Sequence, residues 1–168
     1  MTISLGKKEI IHFVGIGGIG MSGLALIMKD LGFNIKGSDQ QSSKNIERLK
    51  KSKINVVIGH KKKHLSNATI LVISSAIKKN NPELLEAKRK NLPVIKRGKM
   101  LAHIVTLMKN IVVVGSHGKT TTTSLVTSIF QKTKLDPTII NGGVINSIKS
   151  SAKLGKSDWS ILEADESD

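Results

Sequence analysis

Cysteine is absent from the 168 residues, so neither a disulfide nor a thiolate metal site can be built from this chain. A chain without disulfides suits a reducing compartment, and a cytoplasmic location is the expectation. Tyrosine is absent too, and the aromatic set is one Trp and three Phe. So few rings leave little for bases to stack on, which argues against a surface for single-stranded nucleic acid. No apolar run approaches the roughly 20 residues that span a bilayer, and the polar stretch 1–9 lacks the apolar core of a signal peptide. No membrane insertion is expected. Acidic residues are scarce: 12 Asp+Glu face 27 Lys+Arg, for a net charge of +15. Such an excess favours polyanionic partners, among them nucleic acid, anionic lipid and phosphorylated small molecules. The lysines (Lys50, Lys51, Lys53, Lys61, Lys62, Lys63, Lys88, Lys90) are scattered over presumed helix faces and form no block, so they read as solvated surface. No nucleic-acid partner is expected.

The stretch of residues 112–123 stands out. Val112, Val113 and Val114 read as a short buried strand, followed by Gly115-Ser116-His117-Gly118-Lys119-Thr120-Thr121 opening into a helix. A glycine turn at a helix N-terminus aims backbone N–H groups at phosphate oxygens, and the helix dipole favours negative charge there. Lys119 would supply a point charge to a nucleotide's β/γ-phosphates, and the Thr120 hydroxyl a ligand for Mg²⁺. The spacing is a shortened variant of the usual triphosphate loop, whose first glycine would fall on Val113. His117, inside the loop, either orients a phosphate or caps the turn.

A second glycine loop precedes it. Residues 9–14 read as a strand, and Gly15-Ile16-Gly17-Gly18-Ile19-Gly20 follows at once, leading into helical spacing at Met21, Leu24, Ala25, Met28 and Leu31. This is G-x-G-x-x-G in its required context, a turn tight enough for backbone to approach a diphosphate. Asp39, at the end of the next expected strand, is placed to accept hydrogen bonds from a ribose. NAD and a nucleotide sugar share that ribose–diphosphate anatomy; a separate triphosphate loop in the same chain makes NAD the less natural choice.

Further along, strands are expected at 34–36 (running on to Asp39), 54–58, 69–73 and 94–95, with helices around Ile46 and Leu49 and over 82–91. This alternation predicts a parallel, doubly wound sheet of about five strands. Ser74-Ser75-Ala76 closes the fourth strand at the carboxyl edge, where open α/β sheets take their ligands. A helix over 97–109 leads to a second α/β unit with a helix over 120–132 and strands at 138–140 and 160–164. Asn141-Gly142-Gly143 reads as a polar turn after the first of these. The acidic end, Glu163-Ala164-Asp165-Glu166-Ser167-Asp168, reverses the charge of the chain beside the phosphate loop, where a nucleotide's Mg²⁺ is held. Glu163, still on its strand, is the preferred ligand. His60 and His64 are spaced i, i+4 among lysines and read as a surface turn, not a metal site.

These pieces, in this order, resemble the ATP-dependent Mur ligases of peptidoglycan synthesis. The matching segments are His12-Phe13-Val14-Gly15-Ile16-Gly17-Gly18-Ile19-Gly20-Met21-Ser22-Gly23, Gly37-Ser38-Asp39, Ser74-Ser75-Ala76-Ile77, the phosphate loop through Thr123, and the acidic end from Glu163. The resemblance implies a three-domain enzyme that joins L-alanine to the lactyl carboxylate of UDP-N-acetylmuramate through an acyl phosphate at the expense of ATP. It is less decisive against the family member that joins a recycled murein peptide instead. On this likeness residues 1–108 form a Rossmann-like domain for UDP-N-acetylmuramate, and 109–168 the beginning of a P-loop-type ATPase domain that is incomplete and by itself inactive. Gly15, Gly17, Gly18, Gly20, Met21 and Ser22 would cradle the diphosphate, with Asp39, Ser74, Ser75 and Ala76 near the uridine. Gly115, Ser116, His117, Gly118, Lys119, Thr120 and Thr121 would bind ATP, Thr120 and Glu163 would hold Mg²⁺, and Asn141, Gly142 and Asn146 would approach the muramoyl group. Lys119, Thr120 and Glu163 carry the expected catalytic roles. Ser116 stands where the family has Thr and keeps its hydroxyl. The segment 148–151 departs from the family's Gly-x-Asn turn.

Overall fold

The computed structural model describes residues 5–106, 108–133, 135–145, 150–153 and 155–163, with side chains of 141–145, 150 and 151 left aside. Its first sheet contains β1 (Ile10–Val14), β2 (Asn34–Asp39), β3 (Asn55–Ile58), β4 (Ile70–Ile73) and β5 (Val94–Lys96), ordered β3-β2-β1-β4-β5 and parallel throughout. Between them run α1 (Ile19–Asp30), α2 (Lys44–Lys51) and α3 (Pro82–Arg89), and α4 (Arg97–Val105) follows β5. Strand order reverses between β1 and β4, so the loops leaving these two strands part at the carboxyl edge and open a crevice.

Helix α1 buries every residue from Met21 to Met28. A helix apolar all round needs cover on all sides, and α1 has it: β7 (Thr138–Ile145) and β8 (Ser150–Lys153) of the second sheet lie against it. Ile140, Ala152 and Leu162 share one apolar core with Leu24, Ile27 and Met28. That second sheet is ordered β6-β9-β7-β8, with β6 (Lys109–Val113) and β9 (Trp159–Glu163) parallel, and α5 (Lys119–Lys132) follows β6. A smaller core on the other face of the first sheet gathers Val14, Leu65, Leu71, Leu84 and Ala87 beneath α3 and a 3₁₀ turn, Lys62–Leu65.

Several expectations need correction. The strand over 112–114 is not buried: Val112, on the edge strand β6, is 50% exposed, and Val114, past the end of that strand, is 73% exposed. The helix after Arg97 stops at Val105, and Lys109 already begins β6. Asn141, Gly142 and Gly143 do not form a turn; they lie inside β7, which pairs on past them with the antiparallel β8, a strand with no sequence signal in Ser150-Ser151-Ala152-Lys153. Asn146 and the acidic positions 164–168 fall outside the described residues.

Candidate functional site

The crevice at the β1/β4 reversal is a cavity of about 470 Å³, walled by Gly15, Gly17, Gly18, Gly20 and Met21 on one side and by Ser74 and Ala76 on the other, with Asp39 and Arg97 at its margin. Ser75 is exposed on the same turn but does not line it. Ser22 does not line it either: its hydroxyl donates to the Ile19 carbonyl at 3.0 Å.

The loop is pinned from β2. Gly15 and Ile16 donate their N–H groups to the Ser38 carbonyl at 2.8 and 3.0 Å, and Gly17 donates to Asp39 Oδ2 at 2.8 Å. Asn45 of α2 donates to the Gly17 carbonyl at 2.8 Å. A Cβ at Gly37 would lie 2.7 Å from the Phe13 carbonyl oxygen, so strand and loop approach too closely there for any side chain. A Cβ at Gly20 would come within 2.3 Å of Arg97 Nη1, which places a guanidinium against the first turn of α1. The α1 N-cap, Gly18, makes no side-chain cap bond and the first turn holds no acid, whereas Ser43 and Asn81 cap α2 and α3. Amides without a side-chain cap, the positive end of a helix dipole and an arginine suit a diphosphate.

The second glycine loop has similar chemistry. Gly118, the N-cap of α5, is left-handed at φ 75° and likewise makes no side-chain cap bond. Lys119 Nζ folds back to the Gly115 carbonyl at 2.6 Å. Parallel pairing sets Val113 beside Glu163, so the end of β9 reaches the loop, and Thr120 Oγ1 donates to Glu163 Oε1 at 3.1 Å. A hydroxyl and a carboxylate side by side are the hard oxygen donors that Mg²⁺ prefers. Ser116, His117 and Thr121 are exposed around this loop.

A third polar group was missed in the sequence, where His60 and His64 read as a surface turn. Their side chains are 8% and 11% exposed and converge with His12 on Glu83, at the start of α3, which is wholly buried. Glu83 Oε1 accepts from His64 Nδ1 at 2.7 Å and from the Lys61 amide at 3.3 Å, and Oε2 accepts from Ser38 Oγ at 2.5 Å. His12 Nε2 stands 3.4 Å from Oε2, near enough for attraction but not aligned as a hydrogen bond. Burial alone would raise the Glu83 carboxyl; the proximity of His12, the Ser38 hydroxyl and the His64 ring override it and hold it at about 2. His12 is pushed below its usual value by burial, with Lys36 and His64 adding to the effect and Glu83 opposing it. The signal in sequence was His12 itself, a polar residue in the middle of a strand that is otherwise apolar and central in a parallel sheet.

The described residues contain no group of three or more His, Cys, Asp or Glu arranged to hold a metal, and no helix among them is long and apolar enough to cross a membrane.

Known proteins match throughout. The chain is 76% identical over all of its length to a UDP-N-acetylmuramate–L-alanine ligase of Pelagibacter ubique (strain HTCC1062) and 49% identical to the enzyme so named in Brucella ovis. It spans 36% and 35% of those relatives, about a third of their length. Among solved structures, the UDP-N-acetylmuramate:L-alanyl-gamma-D-glutamyl-meso-diaminopimelate ligase from Neisseria meningitides superposes with a TM-score of 0.86 at 30% identity, covering 94% of this chain and 53% of that one. The UDP-N-acetylmuramate–alanine ligase of Thermotoga maritima superposes at 0.83 with 28% identity, covering 92% of this chain and 37% of that one. The family model described as Mur ligase family, catalytic domain, matches residues 10–108, and the chain accordingly belongs to the Mur ligase family.

Proposed function

We propose that this chain is part of an ATP-dependent ligase that joins L-alanine to the lactyl carboxylate of UDP-N-acetylmuramate. The observation that carries the reading is the pairing of Thr120 with Glu163 on the Lys119 loop, in a chain whose other glycine loop walls a separate cavity. One phosphate site suits a nucleotide-sugar substrate and the other a nucleotide triphosphate; a dehydrogenase would use only the first. The names of the relatives, and identity that reaches 76%, support the same substrates.

In this reading residues 1–108 form the nucleotide-sugar domain, with the diphosphate on Gly15–Gly20 and Arg97, the uridine toward Asp39, and Ser74 and Ala76 on the opposite wall. Residues 109–168 open the ATP domain, where Lys119 and the loop amides take the phosphates. Thr120 and Glu163 hold Mg²⁺, which when bound offsets phosphate charge. Positioning and charge neutralisation are what phosphoryl transfer to a carboxylate requires, and no nucleophilic side chain is called for. Asn141, Gly142 and Asn146 remain proposed contacts to the muramoyl group. The exposed apolar residues Val112, Val114, Leu125 and Ile129 offer a surface on which the rest of such a domain would pack.

The test is phosphate release by the full-length protein given ATP, Mg²⁺ and UDP-N-acetylmuramate. Release that depends on L-alanine supports the proposal. Release that depends only on a murein tripeptide assigns the recycling reaction, which the Neisseria superposition keeps in play. Release with neither amine overturns the ligase reading. The chain of residues 1–168 by itself should release no phosphate.

A further inference from the structure

Ser38 is wholly buried and belongs to both the glycine loop and the Glu83 cluster. Its backbone carbonyl accepts from Gly15 and Ile16, while its hydroxyl donates to Glu83. With its proton committed to the carboxylate, the hydroxyl oxygen is left to accept from His60 Nδ1, 3.0 Å away. The next residue, Asp39, takes the Gly17 amide, and its own carbonyl accepts from Gly59, the residue before His60. Four segments distant in sequence, at residues 12, 38, 60–64 and 83, thus meet at one carboxylate directly behind the loop.

We propose that Glu83 is a positioning residue for the nucleotide cavity: through Ser38 it fixes the end of β2, and that end fixes the amides of Gly15, Ile16 and Gly17. The chemistry favours this over packing alone. A wholly buried carboxylate is costly unless its lone pairs are filled, and an apolar residue would fill the same space beneath α3. What the carboxylate adds is direction, since it draws Ser38, His60 and His64 into one geometry and so sets the height of the Ser38 carbonyl. The groups facing it are His12 from β1, Ser38 from β2, His60, Lys61 and His64 from the segment after β3, and Lys36 from β2, whose ammonium is itself held on the His64 carbonyl at 2.8 Å. Asn81, rather than any ligand, satisfies the first amides of α3, at 2.9 and 3.2 Å.

The inference rests on the nucleotide-sugar reading for its ligand but not for its geometry, and the experiment separates the two. Ser38→Ala and Glu83→Gln variants of the chain are followed by amide hydrogen exchange, by calorimetric titration with UDP-N-acetylmuramate and by NMR of the histidine rings. Exchange at Gly15, Ile16 and Gly17 should quicken roughly ten-fold, the loss of about one hydrogen bond's worth of restraint, while Leu71 and Val72 in β4 stay as slow as in the wild type. The dissociation constant should rise by a similar factor. By reciprocal linkage the ligand should move the ring resonances of His60 and His64 but not those of His103 in α4. Unchanged loop exchange in folded variants overturns the proposal, as does ligand binding that leaves both affinity and rings unmoved. If Glu83→Gln does not fold, Ser38→Ala decides, since it removes one hydroxyl. If the wild type ignores UDP-N-acetylmuramate, the ligand reading falls, and loop exchange alone judges the positioning role.

Discussion

Gly17 donates its amide to Asp39 at 2.8 Å, so the acid expected to meet a ribose is also the clamp of the loop expected to meet the diphosphate. The two roles make different demands. Asp39→Asn keeps an oxygen for Gly17 and loses the charge, whereas Asp39→Ala leaves that amide without its partner. An unmade bond of this kind costs about 1–3 kcal/mol. Urea unfolding should therefore place the alanine variant clearly below the asparagine variant, and calorimetry should order their affinities for UDP-N-acetylmuramate the same way. Equal stability in the two would remove the clamp from the account.

Two glycines of the same site should answer alanine oppositely. Gly37→Ala meets backbone, with its Cβ 2.7 Å from the Phe13 carbonyl oxygen, and the strand must move. An overpacking cost of about 1–3 kcal/mol is expected. Gly20→Ala meets only the flexible end of Arg97, and alanine is the better helix residue. That variant should melt no lower than the wild type yet bind the nucleotide sugar more weakly, because the guanidinium is displaced. A melting curve and a titration on each variant check both statements.

Acid should weaken the fold in two stages. The Glu83 carboxyl is held at about 2, below its ordinary 4.5, so its contribution to stability is full above pH 4.5 and is lost as pH falls toward 2. His12 is held below 6.5, so the unfolded chain takes up its proton first, and stability also declines as pH drops below 6.5. Urea midpoints measured from pH 7 down to 3 should fall throughout. The gap between wild type and Glu83→Gln should narrow below pH 4.5. A constant gap would mean that the carboxylate contributes nothing as a charge.

At the other loop, Glu163→Gln in the full-length protein should raise the Mg²⁺ concentration needed for half-maximal phosphate release, since a neutral amide is a poorer ligand beside Thr120. Lys119→Ala should slow release by about 100-fold or more, the scale for removing one charge-stabilising donor. A Lys119→Ala protein of normal rate would place the phosphates elsewhere.

Much of this was legible because it is written in the backbone. A strand, a glycine loop and an amphipathic or wholly apolar helix follow one another at residues 10–30, and such a run has few alternative folds. Thr120 and Glu163 each stand out by residue type, and the family resemblance joins them as Mg²⁺ ligands; that β9 runs beside β6 and sets them together is visible only in the sheet. The Glu83 cluster was hidden for the opposite reason. Glu83 looks like an ordinary acid in the first turn of a helix, and its partners come from segments that only the sheet brings together. His60 and His64 sit among exposed lysines in sequence, yet His64, within the 3₁₀ turn, and His60, just before it, both reach inward to Glu83. The strand β8 escaped notice because Ser150–Lys153 offers a single apolar residue, Ala152, to the core. The exposure of Val112 goes with the position of β6 at the sheet edge, and local pattern cannot report that.

The most direct test is calorimetric titration of the chain with UDP-N-acetylmuramate and, separately, with NADH, for the wild type and for Asp39→Ala. The account predicts heat with the nucleotide sugar, loss of affinity in the variant, and none with NADH. Binding of NADH in the absence of any response to UDP-N-acetylmuramate would contradict it.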